Sequence, residues 1–306
     1  MGQRVKHVSV VIVNFNAGDF LLECVRRVFA SESVAVDVYL SDNASSDLSI
    51  QKLKRSPLGQ DPRLHLIENT ENLGFAKGNN ITLSCIKSDF ILFLNPDCYI
   101  ESDTLYSMLT TMENYPEVGI AGCLIQNFDG SEQVGCRRYI PTPWRSFVQI
   151  FKLDRFFKND PRFFNFNMNK EPLPFGPVFV EAISGAFMLV RQEALAQVGP
   201  LDEDYFMHCE DLDWCVRFTQ KNFKILFVPN VVIQHAKGIS SQTRPLRVEY
   251  YKHKGMGRFY LKFFKKEHSL AFLIFIFAAI WGLFVLKATK LSIKKIGRLF
   301  SSRTKH

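Results

Sequence analysis

The hydrophobic pattern of the N-terminal half switches repeatedly between a strand period and a helix period. Val8–Val13 is an apolar run dominated by β-branched residues, which predicts a buried strand. Phe20, Leu21, Cys24, Val25 and Val28 follow at helical spacing, so one helix face is apolar. Val34–Leu40 predicts a second strand, Leu64–Ile67 a third and Phe90–Leu94 a fourth, each preceded by a helical stretch. This β-α-β-α order predicts an α/β fold built on a doubly wound, mainly parallel sheet. Later in the chain, Val180–Val190 predicts a strand, Glu210–Gln220 a helix, and Lys224–Val228 and Val231–Gln234 short strands. Arg137–Phe175 crowds Pro and Phe together without a clean period. It predicts a partly ordered insertion, placed to wall one side of a binding cleft.

In open α/β sheets, ligands bind beyond the carboxyl ends of the strands. Polar residues gather there in this chain: Asn14 and Asn16 after the first strand, Asp42 and Asn43 after the second, Asn69 and Asn72 after the third, Asn95 and Asp97 after the fourth. That repetition carries more information than any one motif. A second acidic pair, Glu210-Asp211, stands far along the chain, between Tyr205-Phe206 and Asp213-Trp214. A carboxylate at a strand end can hold a divalent cation, and a distant second one can take a proton. Together they predict metal-assisted group transfer from a phosphorylated donor.

Each of these residues also has a purely structural reading. Asp42 can close an Asx-turn or cap the next helix, as can Asn43, Ser45 and Asp47. Asn72–Asn80 opens a helix with Gly74 and Gly78 and carries Lys77; this suits a phosphate, but a glycine turn is often only a turn. Glu210 and Asp211 can simply favour a helix N-terminus. Asp213 lies four residues before Arg217, the spacing of a helical ion pair. A lone His such as His235 is often structural.

Composition adds a membrane. The chain has 306 residues with 47% hydrophobic and 22% charged, enough for one large α/β domain and an appendage. Ten of the 38 Lys/Arg and one of the 30 acids fall in residues 261–306. The tail therefore carries +9 and the rest of the chain −1, so the net charge of +8 is a property of the tail. A nucleic-acid binder would spread basic residues over a folded face; this asymmetry points to an anionic membrane surface. Leu270–Leu286 contains no charge and spans roughly 26 Å as a helix, slightly short of a ~30 Å hydrocarbon core. Lys262, Lys265 and Lys266 flank one end and Lys287 and Lys290 the other, so spanning and in-plane burial are both open. A buried core helix is the alternative. Val8–Val13 is too short for a secretory signal, and Lys6 occupies the position where myristoylation needs Ser or Thr. Seven cysteines with no C-x-x-C pair predict reduced thiols in the cytosol. The expected organisation is a catalytic domain over 1–245 and a basic C-terminal region over 246–306 with the apolar segment 270–286, at the cytoplasmic face of the plasma membrane.

Seven segments then make a specific match in order: VSVVIVNFN at 8–16, SDNASSD at 41–47, NLGFAKGNN at 72–80, FLNPD at 93–97, SGAFMLVRQEA at 184–194, LDEDYFMHCEDLDWCVR at 201–217 and HAKGIS at 235–240. With these the chain resembles the family-2 inverting glycosyltransferases of GT-A fold, and within them the bacterial rhamnosyltransferase-like branch. The resemblance implies donor contacts from Asn14, Asp42, Asn72, Gly74, Lys77 and Asn95. It implies that Asp97 holds Mg2+ or Mn2+ against the donor diphosphate, although Asn95 stands where many relatives carry the first acid of Asp-x-Asp. His235 would be a second metal or phosphate contact. Asp211 would be the general base, supported by Glu210, in a single displacement that inverts the anomeric centre. Processive relatives carry Q-x-x-R-W and several spans; here no Arg precedes any of the three Trp, which implies single-sugar transfer. The implied donor is dTDP-L-rhamnose and the implied acceptor a polyprenyl-diphosphate-linked sugar in surface-polysaccharide synthesis. UDP- and GDP-sugars, a nucleotidyltransferase and a membrane-tethered protein that binds nucleotide sugars without catalysis are the rival readings.

Overall fold

The computed structural model describes residues 6–158, 160–236 and 245–303. In chain order, the first half runs β1 (Lys6–Asn14), α1 (Asp19–Phe29), β2 (Val34–Asp42), α2 (Ser49–Arg55), β3 (Leu64–Glu68), α3 (Phe75–Asn80), β4 (Phe90–Leu94), β5 (Cys98–Tyr99), α4 (Thr104–Glu113) and β6 (Val118–Gln126). The second half runs β7 (Arg137–Arg138), α5 (Pro143–Ile150), β8 (Val178–Phe179), β9 (Ala182–Ile183), β10 (Phe187–Arg191), α6 (Gln192–Val198), α7 (Glu210–Gln220), β11 (Lys224–His235), α8 (Pro245–Phe264) and α9 (Leu270–Arg303).

The strands form one nine-stranded sheet in the order β3-β2-β1-β4-β10-β6-β11-β5, with β8 paired to β11. β1, β2, β3 and β4 are parallel, and their register is flush: Asn14 lies beside Asp42, and Asp42 beside Glu68. Flush register is what lines up the polar strand ends. β1, β2 and β3 each lead into a helix, and β4 reaches α4 by way of β5, as the switching periodicity requires. Apolar side chains on both faces form two cores, one around Leu21, Val25 and Leu105, the other around Phe93, Trp214 and Phe218.

β10 runs antiparallel between β4 and β6. This reversal brings the residues just before β10 beside the end of β4, so Asn95 N–H donates to the Ala186 carbonyl at 3.0 Å. The single strand expected over Val180–Val190 is therefore two pieces, Ala182–Ile183 and Phe187–Arg191. Ala182–Ile183 peels off to pair with Arg137–Arg138 in a separate two-stranded ribbon, and Gly185 lies in the break. Conversely, the two short strands expected within 224–234 are one strand, Lys224–His235, whose register slips between Val228 and Val232. Pro229 lies in that slip, where a missing N–H interrupts the ladder.

The insertion is more ordered than expected. Thr142 caps α5 by accepting from Arg145 N–H at 3.2 Å, Pro143 opens the helix, and short 3-10 turns follow at Leu153–Arg155, Pro161–Phe163 and Met168–Lys170.

α8 packs on the body: Phe259 is fully buried in the Trp214 core. Lys262 reaches Asp202 and Asp213, both at 2.6 Å, so this lysine serves the body rather than a membrane. α9 is different. Leu270–Ile293 has a mean hydropathy of 2.5 and is long and apolar enough to cross a membrane, with 11% of that stretch buried. A core helix is mostly buried, and this stretch is mostly exposed. Only one face of α9, through Leu273, Phe277 and Ile280, meets the body, Phe277 lying over Gly257. All seven cysteines are free thiols, and only Cys85 is exposed.

Candidate active site

The site is built at the carboxyl ends of β1, β2 and β4, as the sheet topology dictates. Asn14 is buried, and its Nδ2 donates to Asp42 Oδ1 at 2.7 Å, with Ser49 Oγ at 2.9 Å and Ser45 Oγ at 3.0 Å also in reach. Asp42 in turn accepts from Ser45 N–H at 3.1 Å and Ser45 Oγ at 2.6 Å, an Asx-type closure of the loop after β2. Asn43 Nδ2 donates to the Gly74 carbonyl at 2.9 Å, and Asn69 Nδ2 to Asn43 Oδ1 at 3.2 Å. Asn72 Oδ1 accepts from Gly74 N–H at 2.9 Å. Gly74 has φ +82°, and a Cβ there would sit 2.4 Å from the Phe206 carbonyl oxygen. Only glycine lets the two loops approach this closely. Phe75 N–H donates to that same oxygen at 2.7 Å, which ties the start of α3 to the loop before α7. Lys77 is exposed and makes no ion pair among the described residues.

At the end of β4 stand Asn95 and Asp97, and opposite them the last residue of β11, His235. β5 pairs with β11 so that His235 faces Cys98 in register. His235 Nε2 lies 3.1 Å from Asp97 Oδ1 and 3.4 Å from Asn95 Nδ2. Its other nitrogen, Nδ1, lies 2.7 Å from Gln133 Oε1. Gln133 Nε2 donates to the His235 carbonyl at 3.3 Å and to Asn127 Oδ1 at 3.1 Å, so Oε1 is its acceptor end and Nδ1 carries the proton. In the neutral ring Nε2 then presents a lone pair toward a carboxylate oxygen. Two acceptors at 3.1 Å fit a cation between them: ligands bound at ~2.1 Å and at right angles are ~3.0 Å apart. Asp97, Cys98 and His235 form a cluster of potential ligand atoms, but Cys98 is unsuited. Burial first, then the Asp97 charge, pushes its thiol well above its usual range, and its Sγ donates to the Ala186 carbonyl at 3.4 Å. A hard cation also prefers oxygen to sulfur.

The acidic pair enters from α7. His208 and Cys209, just before it, both have positive φ, 66° and 73°, a costly conformation for non-glycine residues. A Cβ on Gly255 of α8 would lie 2.6 Å from the His208 carbonyl oxygen, so α8 braces this turn at backbone contact. Asp211 is partly exposed; its Oδ2 accepts from Arg138 Nη2 at 2.5 Å and from Gly185 N–H at 3.1 Å. Gly185 precedes Ala186, the partner of Asn95, so one short segment touches both the β4 end and Asp211. Glu210 is buried, and its Oε2 has no hydrogen-bond partner among the described residues. Burial, reinforced by the Asp211 charge, pushes its carboxyl up to about 8. Asp213 is a packing group: it pairs with Arg217 at 2.6 Å, as its spacing predicted, and with Lys262.

A family description, "Glycosyl transferase family 2", matches residues 9–199, more than half of the chain. The chain belongs to glycosyl transferase family 2. The N-acetylglucosaminyl-diphospho-decaprenol L-rhamnosyltransferase of Mycobacterium tuberculosis is 28% identical to it over 253 residues, 78% of each chain. Rhamnosyltransferase WbbL of Escherichia coli is 28% identical over 167 residues, 51% of this chain and 58% of that one. A mannosyltransferase of Pyrobaculum calidifontis, solved with GDP-Man and Mn2+, superposes with a TM-score of 0.57 at 15% identity, over 83% of this chain and 63% of that one. That last likeness is one of fold, the GT-A fold expected.

In this glycosyltransferase the fold gathers the predicted residues into three linked groups: Asn14 with Asp42, Asn72 with Gly74, and Asn95 with Asp97 and His235. Asp211 joins them through Gly185–Ala186, while Glu210 turns into the interior and Lys77 outward. The rest of the HAKGIS segment, from Lys237, lies outside the described residues. Sequence reasoning missed Gln133 and Arg138. Both meet their partners across long stretches of chain, and neither sits in a motif; the one available signal was the doubled Arg137-Arg138 at the mouth of the aromatic insertion.

Proposed function

We propose that this family-2 glycosyltransferase moves one sugar, L-rhamnose from dTDP-L-rhamnose, to a polyprenyl-diphosphate-linked glycan with inversion at the anomeric carbon. The observation that carries the proposal is the Asp97–His235 pair, oriented by Gln133 at the end of β4 and linked through Gly185–Ala186 to Asp211. The relatives named for L-rhamnosyl transfer, one of them on a diphospho-decaprenol acceptor, support the donor and the acceptor.

Asp97 and His235 would hold Mg2+ or Mn2+, whose charge offsets that of the departing diphosphate. Asn14, Asp42, Asn72, Gly74, Lys77 and Asn95 would line the donor side, Lys77 offering its unpaired charge to phosphate. Asp211 takes the proton of the acceptor hydroxyl as that oxygen attacks C1. Its partial exposure supports this role, and the contacts from Arg138 and Gly185 fix its orientation. Glu210, neutral over most of the physiological range, supports Asp211 without placing a second negative charge beside it. The catalytic unit would run on through α8 rather than end at 245, because Phe259 and Tyr260 of α8 are buried in its core, and the basic, apolar region from α9 onward would hold it at the cytoplasmic face of the plasma membrane, near lipid-linked acceptors.

A side-by-side panel of dTDP-, UDP- and GDP-sugars tests the reading. Purified protein with Mg2+ or Mn2+ should turn over dTDP-L-rhamnose in preference to the others, and EDTA should abolish turnover reversibly. A preference for a UDP-sugar, UDP-galactofuranose included, or for a GDP-sugar would overturn the rhamnose assignment. Binding without turnover of any donor would make the chain a tethered binding protein.

A further inference from the structure

The insertion between β7 and β8 carries an aromatic surface that the transfer chemistry does not use. α5 buries Val148 and leaves Trp144 and Ile150 exposed. Trp144 stacks on Phe147, Phe147 packs on Phe151, and Trp144 and Phe157 both meet Phe163. Phe151 is 57% and Phe156 78% exposed. Large rings held open to water in one cluster mark an interaction surface. Its charge is one-sided. Residues 143–163 contain five Lys/Arg and two Asp, and Lys152, Arg155 and Lys158 are exposed without an ion pair among the described residues.

The patch is joined to the apolar helix. Ser146 Oγ of α5 lies 2.5 Å from Tyr260 Oη of α8. Tyr260 packs on Phe264, Phe264 on His268 and His268 on Phe272, inside the first turn of α9. Lys265 and Lys266 stand exposed just before that turn, without an ion pair among the described residues. A line of ring contacts therefore runs from the insertion to the start of the segment that meets lipid.

We propose that the insertion, through Trp144, Phe151, Phe156 and Phe157 with Lys152, Arg155 and Lys158, is a second membrane contact that beds into an anionic phospholipid surface beside α9. The inference rests on the membrane association proposed above. Aromatic rings favour the headgroup boundary and basic side chains favour anionic lipid. One helix fixes distance from the bilayer and leaves rotation free, whereas a second contact fixes which way the body faces. Arg138 opens the same insertion and holds Asp211, so the docked patch would set the orientation of the cleft toward a lipid-linked acceptor.

Trp144 is its own reporter. In the full chain carrying Trp281→Phe, the remaining tryptophans are exposed Trp144 and fully buried Trp214. The protein is reconstituted with vesicles of phosphatidylcholine and phosphatidylglycerol, and brominated lipid is used as quencher. Emission should fall roughly twofold, the fall should vanish when Trp144→Phe is added, and it should shrink severalfold with Phe156→Ser and Phe157→Ser. Protein that floats with vesicles yet shows no Trp144-dependent quenching overturns this proposal alone. Protein that does not float overturns the membrane association and this proposal with it. If Trp144-dependent quenching is absent and the two Phe→Ser changes split an oligomer, the patch binds a second copy of the chain and the proposal falls.

Discussion

The tautomer of His235 is set by one amide. Gln133 spends its NH2 on two oxygens, so its own oxygen must accept from Nδ1, and Nε2 is left for a ligand. Outer partners of this kind commonly govern metal affinity by roughly 10- to 100-fold. Gln133→Leu should therefore weaken Mn2+ affinity in the presence of nucleotide by roughly 10-fold or more, read by calorimetry, while Asp97→Ala removes binding altogether. Unchanged affinity in Gln133→Leu would show that the pair does not hold the ion. The acid pair separates in the same way. Asp211→Asn should lower kcat by roughly 10²-fold or more with donor binding intact, and Glu210→Gln should keep far more activity. Near-normal kcat in Asp211→Asn would exchange the two roles. Glu210 also leaves a stability signature. Its folded pKa is raised from 4.5 to about 8, so its contribution favours the fold below pH 4.5 and is lost as pH rises through 8. The melting temperature of Glu210→Gln should match wild type near pH 4.5 and exceed it increasingly up to about pH 8. Asp42, Asp97, Asp211 and His235 were all visible in the sequence because strand ends and a helix start mark them. Gln133 and Arg138 were not, because the site residues they hold, His235 and Asp211, are more than seventy residues distant.

At the scale of elements, legibility followed burial pattern. β1, β2 and β4 are apolar runs and were plain. β6 is buried along almost its whole length but reads VGIAGCLIQ, with two glycines and an alanine that dilute a strand signal. The break in 180–190 was hidden for a different reason: its apolar residues serve two sheets in turn, and period alone cannot tell one long strand from two short ones. α8 was missed as a part of the body because its buried face includes Gly255 and Gly257, which carry no hydrophobic signal. Their role is steric. Since Gly255 meets the His208 carbonyl at backbone contact, Gly255→Ala must push α8 away from the turn that aims Glu210 and Asp211. It should cost about 1–3 kcal/mol of stability and lower kcat more than it raises KM for donor. A variant with wild-type melting temperature and kcat would mean that α8 does not brace the turn.

The molecule as a whole divides by solvent rather than by chain order. Charge asymmetry along the sequence singled out the C-terminal end proposed to meet a membrane, yet it also credited Lys262 to that end, whereas Asp202 and Asp213 claim it for the body. The folded unit thus extends through α8, and the part that is mostly exposed and apolar begins at Leu270. Deleting residues 268–306 should accordingly release the protein from membranes and leave a folded body, because α9 meets that body through a single face. Circular dichroism and a cooperative melt would read the fold, and vesicle flotation the release. Activity should fall much less on a water-soluble acceptor analogue than on a lipid-linked one, since the truncation removes the local concentration of acceptor and none of the residues at the strand ends. An unfolded or aggregated truncation would make Leu270–Leu286 a structural element of the body, and equal losses on both acceptors would mean that α9 acts on the site itself rather than on where the site is held.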